Sequence, residues 1–316
     1  MTATEQKIQI AVLDDYQGVA LSSADWSGVE RRATVTVFRD HLTDTEGLVE
    51  RLRPFAAVCV MRERTLLSKE VLDRLPRLKL IASTASSNSS IDIVAAKEHG
   101  ISIVGTRAVS TTTAELTWAL ILASARHIVS ENRALREGRW QESVGVDLAG
   151  KTLGIIGLGK IGSAVAKVGL AFGMKVIAWS EHLSSETAEA VGCSAVSKVE
   201  LLRSADIVSI HLVLSDQTRA LVGKSELSLM KQSAMLINTS RGPIVVEEDL
   251  LAALDSGQIA GAALDVYDVE PLPQEHPYRS ATHLLATPHI GYVTEEMYKV
   301  FYGDTVQNLE SWLAEL

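Results

Sequence analysis

Apolar residues arrive along this chain in short runs, each closed by polar or small residues and followed by a longer stretch of helical period. Ile8 to Leu13, Thr34 to Phe38, Ala56 to Val60, Leu78 to Ala82 and Ile101 to Val104 read as strands. Thr45 to Leu52, Lys69 to Leu75 and the stretch from Ile91 through Lys97 read as helices, while the residues after Tyr16 read as helical or irregular. Strand and helix alternate, which predicts a small α/β domain over roughly the first hundred residues.

A second alternation starts at Lys151 to Ile156. This strand runs into Gly157, Gly159 and Gly162, in G-x-G-x-x-G spacing, and Ile161 to Phe172 continues at helical period. Strand, turn and helix in that order suit a dinucleotide. The first glycine permits the tight turn, the second lets backbone approach a pyrophosphate, and the third lets helix pack on strand; the helix start offers free N–H groups to the anion. The competing reading is an ordinary glycine-rich turn. Later strands end at polar groups: Lys175 to Trp179 at Ser180, Ile207 to Ile210 at His211, Met235 to Asn238 at Thr239 and Ser240, Ala260 to Leu264 at Asp265, and Leu284 to Ala286 at Thr287, Pro288 and His289. Open parallel sheets bind ligands at that edge, so five strand ends point to one crevice.

Three stretches stand apart from the alternation. Thr113 to Val129 is apolar on almost every face, which predicts a helix buried all round between domains or subunits. Glu115 near its start suits the helix dipole as a cap. Asn132 to Trp140 is a charged continuation that leaves Trp140 at a turn, where packing at an interface is expected. Ser83 to Ser90 is the most polar run in the chain and is either a solvated loop or a nest of backbone N–H groups for an anion.

Composition narrows the class. With 316 residues, 47% hydrophobic and 22% charged, two ordinary globular domains fit. A net charge of -9 argues against nucleic acid or an anionic membrane as partner. Cys59 and Cys193, the only cysteines, lie far apart among apolar or small residues and read as buried thiols in a reducing compartment. Met1 to Lys7 has no apolar signal core, and no segment approaches the roughly 20 apolar residues of a spanning helix, so a cytoplasmic location is expected.

The polar strand ends supply candidate chemistry. An acidic residue after the second strand of the nucleotide unit would bond a ribose 2′-OH. Ser180 holds that position and suits either cofactor, whereas Glu181 would repel a 2′-phosphate, so NAD is favoured over NADP. Lys160, inside the glycine turn, either touches the pyrophosphate or faces solvent. Arg241, in NTSRG, is fixed near the crevice by Gly242 and Pro243 and can take a carboxylate in bidentate fashion. Glu270 lies in a turn, DVYDVEP, and His289 sits between Pro288 and Gly291 in ATPHIG. Each has a bland alternative: surface charge, exposed turn carboxylate, structural histidine. Together, an Arg that grips a 2-oxo acid, a His that protonates the carbonyl, and a Glu that orients and stabilises the protonated ring complete a hydride transfer from a nicotinamide. No metal is required.

In these residues the chain resembles the D-isomer-specific 2-hydroxyacid dehydrogenase family along nearly its whole length. LKLIASTASSNSSIDIVAAKEHGI resembles the family's substrate-loop segment, TAELTWALILASAR its interdomain helix and KTLGIIGLGKIGSAVAKVGLAFGMKVIAW its nucleotide motif. INTSRGPIVVEEDLLAAL, ALDVYDVEPLP and LLATPHIGYVT resemble its arginine, glutamate and histidine motifs. The resemblance implies an α/β fold of two Rossmann-like doubly wound parallel-sheet domains. A nucleotide-binding domain, 105–290, is inserted into a smaller substrate (catalytic) domain formed by 1–104 and 291–316. It implies that Arg241 binds and polarises substrate, Glu270 supports the acid and base, and His289 transfers the proton. It implies cofactor contacts at Gly157, Gly159, Lys160, Ile161, Gly162, Ser180, His211, Thr218, Thr239, Asp265 and Gly291, with Asp265 holding the nicotinamide carboxamide. The backbone at Ser86 and Ser87 is implied to receive the substrate carboxylate, and the protein to be a homodimer built on the interdomain helix.

The chain departs from the family pattern at Ala85, Ser87 and Ser89, where glycines and an Asp are common, at Ser180 in place of Asp, and at Val213 in place of Pro. No feedback through a further regulatory domain after Leu316 is expected. Two other readings remain beside an NAD(P)-dependent reductase of small 2-oxo acids. One is an NAD(H)-sensing, corepressor-like binding protein on the same fold, which typically carries long partner-recognition segments absent here. The other is a formate dehydrogenase, which has Gln where Glu270 stands.

Overall fold

The computed structural model of the protein describes residues 7–109 and 111–316; the polar run 1–7, read above as lacking a signal core, lies outside them apart from Lys7. The chain divides into two compact units, Met1–Val109 with Val293–Leu316, and Ser110–Tyr292. In the first, β1 (Ile8–Val12), β2 (Ala33–Val37), β3 (Ala57–Val60), β4 (Leu80–Ser83) and β5 (Ser102–Gly105) form one parallel sheet in the order β2-β1-β3-β4-β5. Every residue of β3 and β4 is buried, as expected of parallel strands covered on both faces. The covering helices start at side-chain caps: Asp44 accepts from the Gly47 N–H at 2.6 Å and Asp92 from the Ala95 N–H at 2.9 Å. The stretch after Tyr16 resolves into a helix at Ser27–Arg32. A long helix, Glu295–Ala314, returns to this unit and buries Met297, Tyr298, Phe301, Tyr302, Leu309 and Leu313, with the Tyr302 and Trp26 rings 6.4 Å apart.

The second unit holds β6 (Thr152–Ile156), β7 (Lys175–Trp179), β8 (Ser194–Ala195), β9 (Ile207–Ile210), β10 (Met235–Asn238), β11 (Gly261–Leu264) and β12 (Leu284–Ala286). They form a parallel sheet in the order β12-β11-β10-β9-β6-β7-β8. The order reverses between β6 and β9, and such reversal points open the crevice in which doubly wound sheets bind ligands. Leu153, Ile155 and Ile156 of β6 have no exposed surface, each contributing about 1.5–3 kcal/mol of burial free energy.

The apolar helix is shorter and less sealed than its composition predicts. It spans Thr111–Ala125, buries Thr117, Trp118, Leu120 and Ile121, and leaves Glu115 and Ala119 exposed. His127 turns left-handed at φ 52, and a new helix runs Ile128–Arg136 with Ile128 and Val129 exposed. The stop has a partner beyond the helix: the Val146 N–H takes the Ala125 carbonyl at 2.8 Å, an acceptor that a continuing helix would need. Trp140 is 75% exposed. Cys59 and Cys193 are buried and unbridged, and burial pushes the Cys59 thiol up to about 12. Among the described residues no helix is long and apolar enough to cross a membrane.

Candidate active site

The turn after β6 is shaped for a ligand backbone. Gly157 has φ +99 and donates its N–H to the Trp179 carbonyl at 2.8 Å. A Cβ there would stand 2.5 Å from the His211 carbonyl oxygen, so the turn requires glycine. Gly159 starts the helix Lys160–Ala171 without a side-chain cap, leaving the first-turn N–H groups to another acceptor. Lys160 is exposed, Ile161 half-buried and Gly162 buried. Beside this turn a cavity of about 320 Å³ is walled by Trp179, Glu181, Leu212, Gln217, Thr218 and Leu221. Thr218 is anchored there, accepting from the Ser215 N–H at 2.8 Å and donating to the Val213 carbonyl at 2.7 Å. Ser180 is half-buried and is not a wall of the cavity; Glu181 is. An uncapped helix start, a glycine turn and an adjoining cavity with one carboxylate fit a dinucleotide.

His211 links β9 to β6 through its N–H on the Ile156 carbonyl at 2.7 Å, and its Nε2 lies 2.9 Å from Ser209 Oγ. Its Nδ1 is sealed from solvent without a partner, and burial pushes the imidazole down to about 3, so the ring is neutral. Thr239 is buried and shares a hydroxyl contact of 2.8 Å with Thr117.

The ends of β10, β11 and β12 carry the acid–base groups. Asp265 is buried at the end of β11, and burial pushes its carboxyl up against the pull of its donors. Its Oδ1 accepts from Thr287 Oγ1 at 2.6 Å and the Ile290 N–H at 2.8 Å, and its Oδ2 accepts from the Gly291 N–H at 2.8 Å. The carboxylate thus clasps the whole turn that carries His289. That histidine is left-handed, at φ 53, and donates its backbone N–H to the Thr287 carbonyl at 3.0 Å. Its Nδ1 lies 2.5 Å from Glu270 Oε2. Glu270 Oε1 accepts from the Tyr267 N–H at 2.9 Å. No protein group among the described residues bonds His289 Nε2, so the pair presents that nitrogen for proton transfer. Arg241 follows β10. Asn238 holds its turn by donating Nδ2–H to the Arg241 carbonyl at 2.9 Å and accepting from the Ser240 N–H at 3.0 Å.

The second unit therefore brings Glu270, His289, Asp265 and Gly291 together and sets Arg241 on the neighbouring strand end. Ser86 and Ser87 belong to the first unit, exposed at the tip of the loop after β4. That loop is not solvated throughout: Ser83, Thr84, Ala85 and Asn88 are buried. Asn88 Nδ2–H reaches the Arg62 carbonyl at 2.5 Å and the Ala85 N–H reaches Thr106 Oγ1 at 2.8 Å. Small polar residues here satisfy buried backbone, which their polarity alone does not reveal. Asn238 and Tyr267 hold the site from behind and escape a reading that looks for titratable groups.

Known proteins resemble this chain in sequence and in fold. A family model described as D-isomer specific 2-hydroxyacid dehydrogenase, NAD binding domain, matches residues 118–291. A glyoxylate reductase of Aeropyrum pernix is 44% identical over 72% of this chain and 71% of that protein. A hydroxypyruvate reductase of Blautia hydrogenotrophica is 33% identical over 97% of each. The crystal structure of a phosphoglycerate oxidoreductase from Vibrio cholerae superposes with a TM-score of 0.93 at 36% identity, over 98% of this chain and 100% of that one. These relatives are named as enzymes, and nothing in them supports the NAD(H)-sensing alternative.

Proposed function

Because the chain belongs to the D-isomer specific 2-hydroxyacid dehydrogenase family, we propose that it reduces a small 2-oxo acid to the 2-hydroxy acid with NADH, and runs the reverse oxidation, at the edge of the seven-stranded sheet. The observation that carries this reading is the 2.5 Å contact between Glu270 Oε2 and His289 Nδ1, with His289 Nε2 left unbonded by protein. When bound, the nicotinamide supplies or takes the hydride at C2. In the direction of reduction, protonated His289 gives its Nε2 proton to the carbonyl oxygen as that oxygen gains charge. Glu270 holds the ring by Nδ1 and balances the imidazolium. Arg241 binds the carboxylate and polarises the carbonyl. In oxidation the neutral ring takes the hydroxyl proton back.

We assign the unit Ser110–Tyr292 to NAD binding and the smaller unit to substrate binding. Gly157, Gly159, Lys160, Ile161 and Gly162 would hold the pyrophosphate, and Ser180, Glu181 and Thr218 the adenosine end. His211, Thr239 and Gly291 would line the cofactor. Asp265 has an acceptor position to spare for the carboxamide, since a carboxylate offers about four and three are taken. The carboxylate of the substrate is assigned to the backbone at Ser86 and Ser87 and to Arg241. Glu181 as a cavity wall favours NAD over its 2′-phosphorylated form. A homodimer is supported by Ile128, Val129, Leu135, Trp140 and Val144, all exposed within one stretch. The two unbridged cysteines support a cytoplasmic location.

The test is oxidation of NADH and of NADPH against glyoxylate, hydroxypyruvate, pyruvate and branched and aromatic 2-oxo acids, with 3-phosphoglycerate in reverse. Turnover of a 2-oxo acid with preference for NADH is expected. Tight NADH binding with no turnover of any acid would defeat the reading.

A further inference from the structure

Glu270 Oε2 and His289 Nδ1 meet at 2.5 Å, and Tyr267 bonds the loops that carry both. Glu270 and His289 lie on different loops, each of which needs an anchor if the contact is to persist. Tyr267 is bonded to both. Its backbone N–H donates to Glu270 Oε1 at 2.9 Å, fixing the carboxylate from its far oxygen. Its hydroxyl donates to the Thr287 carbonyl at 2.8 Å, and that same carbonyl accepts the His289 backbone N–H at 3.0 Å. One carbonyl therefore ties the tyrosine hydroxyl to the residue held left-handed at φ 53, a conformation that survives only where its surroundings over-determine it.

A third arm reaches the arginine loop. A Cβ on Gly242 would stand 2.1 Å from the Tyr267 carbonyl carbon and 2.5 Å from the Asp268 nitrogen, so the turn after Arg241 lies directly on the Tyr267 backbone. The tyrosine itself is rigid: it is 7% exposed and its ring packs against Tyr278 with centroids 6.2 Å apart. We propose that Tyr267 is a positioning residue that sets the geometry of the Glu270–His289 pair, its N–H holding the carboxylate loop and its hydroxyl the histidine loop. This rests on the acid–base role assigned above to that pair. A phenylalanine would fill the same space, so the hydroxyl is the part that carries the effect.

The test is Tyr267→Phe, which keeps the N–H bond to Glu270 and the ring packing and removes only the bond to Thr287. Ring-nitrogen NMR of the 15N-histidine-labelled protein without cofactor reads the pair directly, the His289 signals being assigned by their loss in His289→Ala. Tyr278→Phe serves as comparator, since it alters the same aromatic cluster without touching the Thr287 carbonyl. The expected result is displaced His289 ring-nitrogen signals in Tyr267→Phe and unmoved ones in Tyr278→Phe. With them should come a kcat lowered about tenfold, an unchanged KM for the 2-oxo acid, and an unchanged NADH affinity by fluorescence titration. A merely structural tyrosine would lower the melting temperature and leave the signals in place. His289 signals identical to wild type in Tyr267→Phe, or displaced equally in both variants, would overturn the proposal. Displaced signals with undiminished kcat would support the positioning role and count instead against the acid–base reading, which His289→Ala tests separately.

Discussion

Each of the two parallel sheets ends in a histidine bonded to a carboxylate, one of the two partners left-handed in each, and the two pairs are built for opposite ends. At the edge of the five-stranded sheet, Asp14 has φ 57 and its Oδ1 lies 2.8 Å from His41 Nδ1. Its Oδ2 accepts from Thr65 Oγ1 at 2.6 Å, and its carbonyl accepts from Arg64 at 2.8 Å. The side chains are 2% and 11% exposed for Asp14 and His41, against 25% and 20% for Glu270 and His289. In the first pair the carboxylate, itself on the loop after β1, is spent on two others, those after β2 and β3, and works as a knot. In the second the carboxylate is fixed by a single backbone N–H, and the pair stands open. A His bonded to a carboxylate is therefore not in itself a sign of catalysis; what separates the two is how much of the carboxylate is consumed by structure and how far the pair is sealed.

The contrast can be broken by substitutions that should act on different observables. His289→Ala should lower turnover by at least ~100-fold, the lower range for a general acid, with little change in melting temperature; near-normal turnover would remove the distinction. His41→Ala leaves the buried Asp14 carboxylate without one of its hydrogen-bond partners and should cost about 1–3 kcal/mol, a fall of several degrees in melting temperature. Per folded molecule its turnover should stay within about twofold, since the pair is assigned to structure. Loss of activity comparable to that of His289→Ala would show that the knot belongs to the chemistry.

The smallest effect concerns a third histidine at a sheet edge, His211, which is sealed and unpaired at Nδ1. Its value in the fold is about 3 against an ordinary 6.5. Between those values the unfolded chain binds a proton that the folded chain refuses, so stability is complete above pH 6.5 and declines as pH falls toward 3. On the order of 1 kcal/mol should be lost between pH 6.5 and 5. Urea unfolding at the two pH values should show the wild type losing more stability than His211→Asn by about that amount; parallel losses would mean the ring protonates freely in the fold.

Most strands and the main chemical groups were legible because both rest on local rules. Apolar runs of strand length and polar residues at their ends can be read one element at a time, which is how Arg241, Glu270 and His289 emerge together with Gly157. What escaped was set by partners distant in sequence. Period alone carries the helical pattern straight through His127, because the Val146 N–H that stops the helix lies beyond its end. The serine-rich loop reads as either solvated or an anion nest, and nothing local announces that Asn88 serves the Arg62 carbonyl. Tyr267 reads as an ordinary aromatic in an acidic turn, since its two bonds run to Glu270 and to Thr287, twenty residues on.

The return of the helix Glu295–Ala314 to the first unit has a consequence for the growing chain. Trp26 and β4 are laid down early, yet the helix that covers them is made only after all of the unit Ser110–Tyr292. At ordinary rates of synthesis that interval is on the order of ten to forty seconds. During it the five-stranded sheet lacks the helix that packs on Trp26 and β4. The nascent protein should therefore depend on chaperones chiefly through the five-stranded sheet, and synthesis of the helix Glu295–Ala314, not of the sheet itself, is the event that closes that unit.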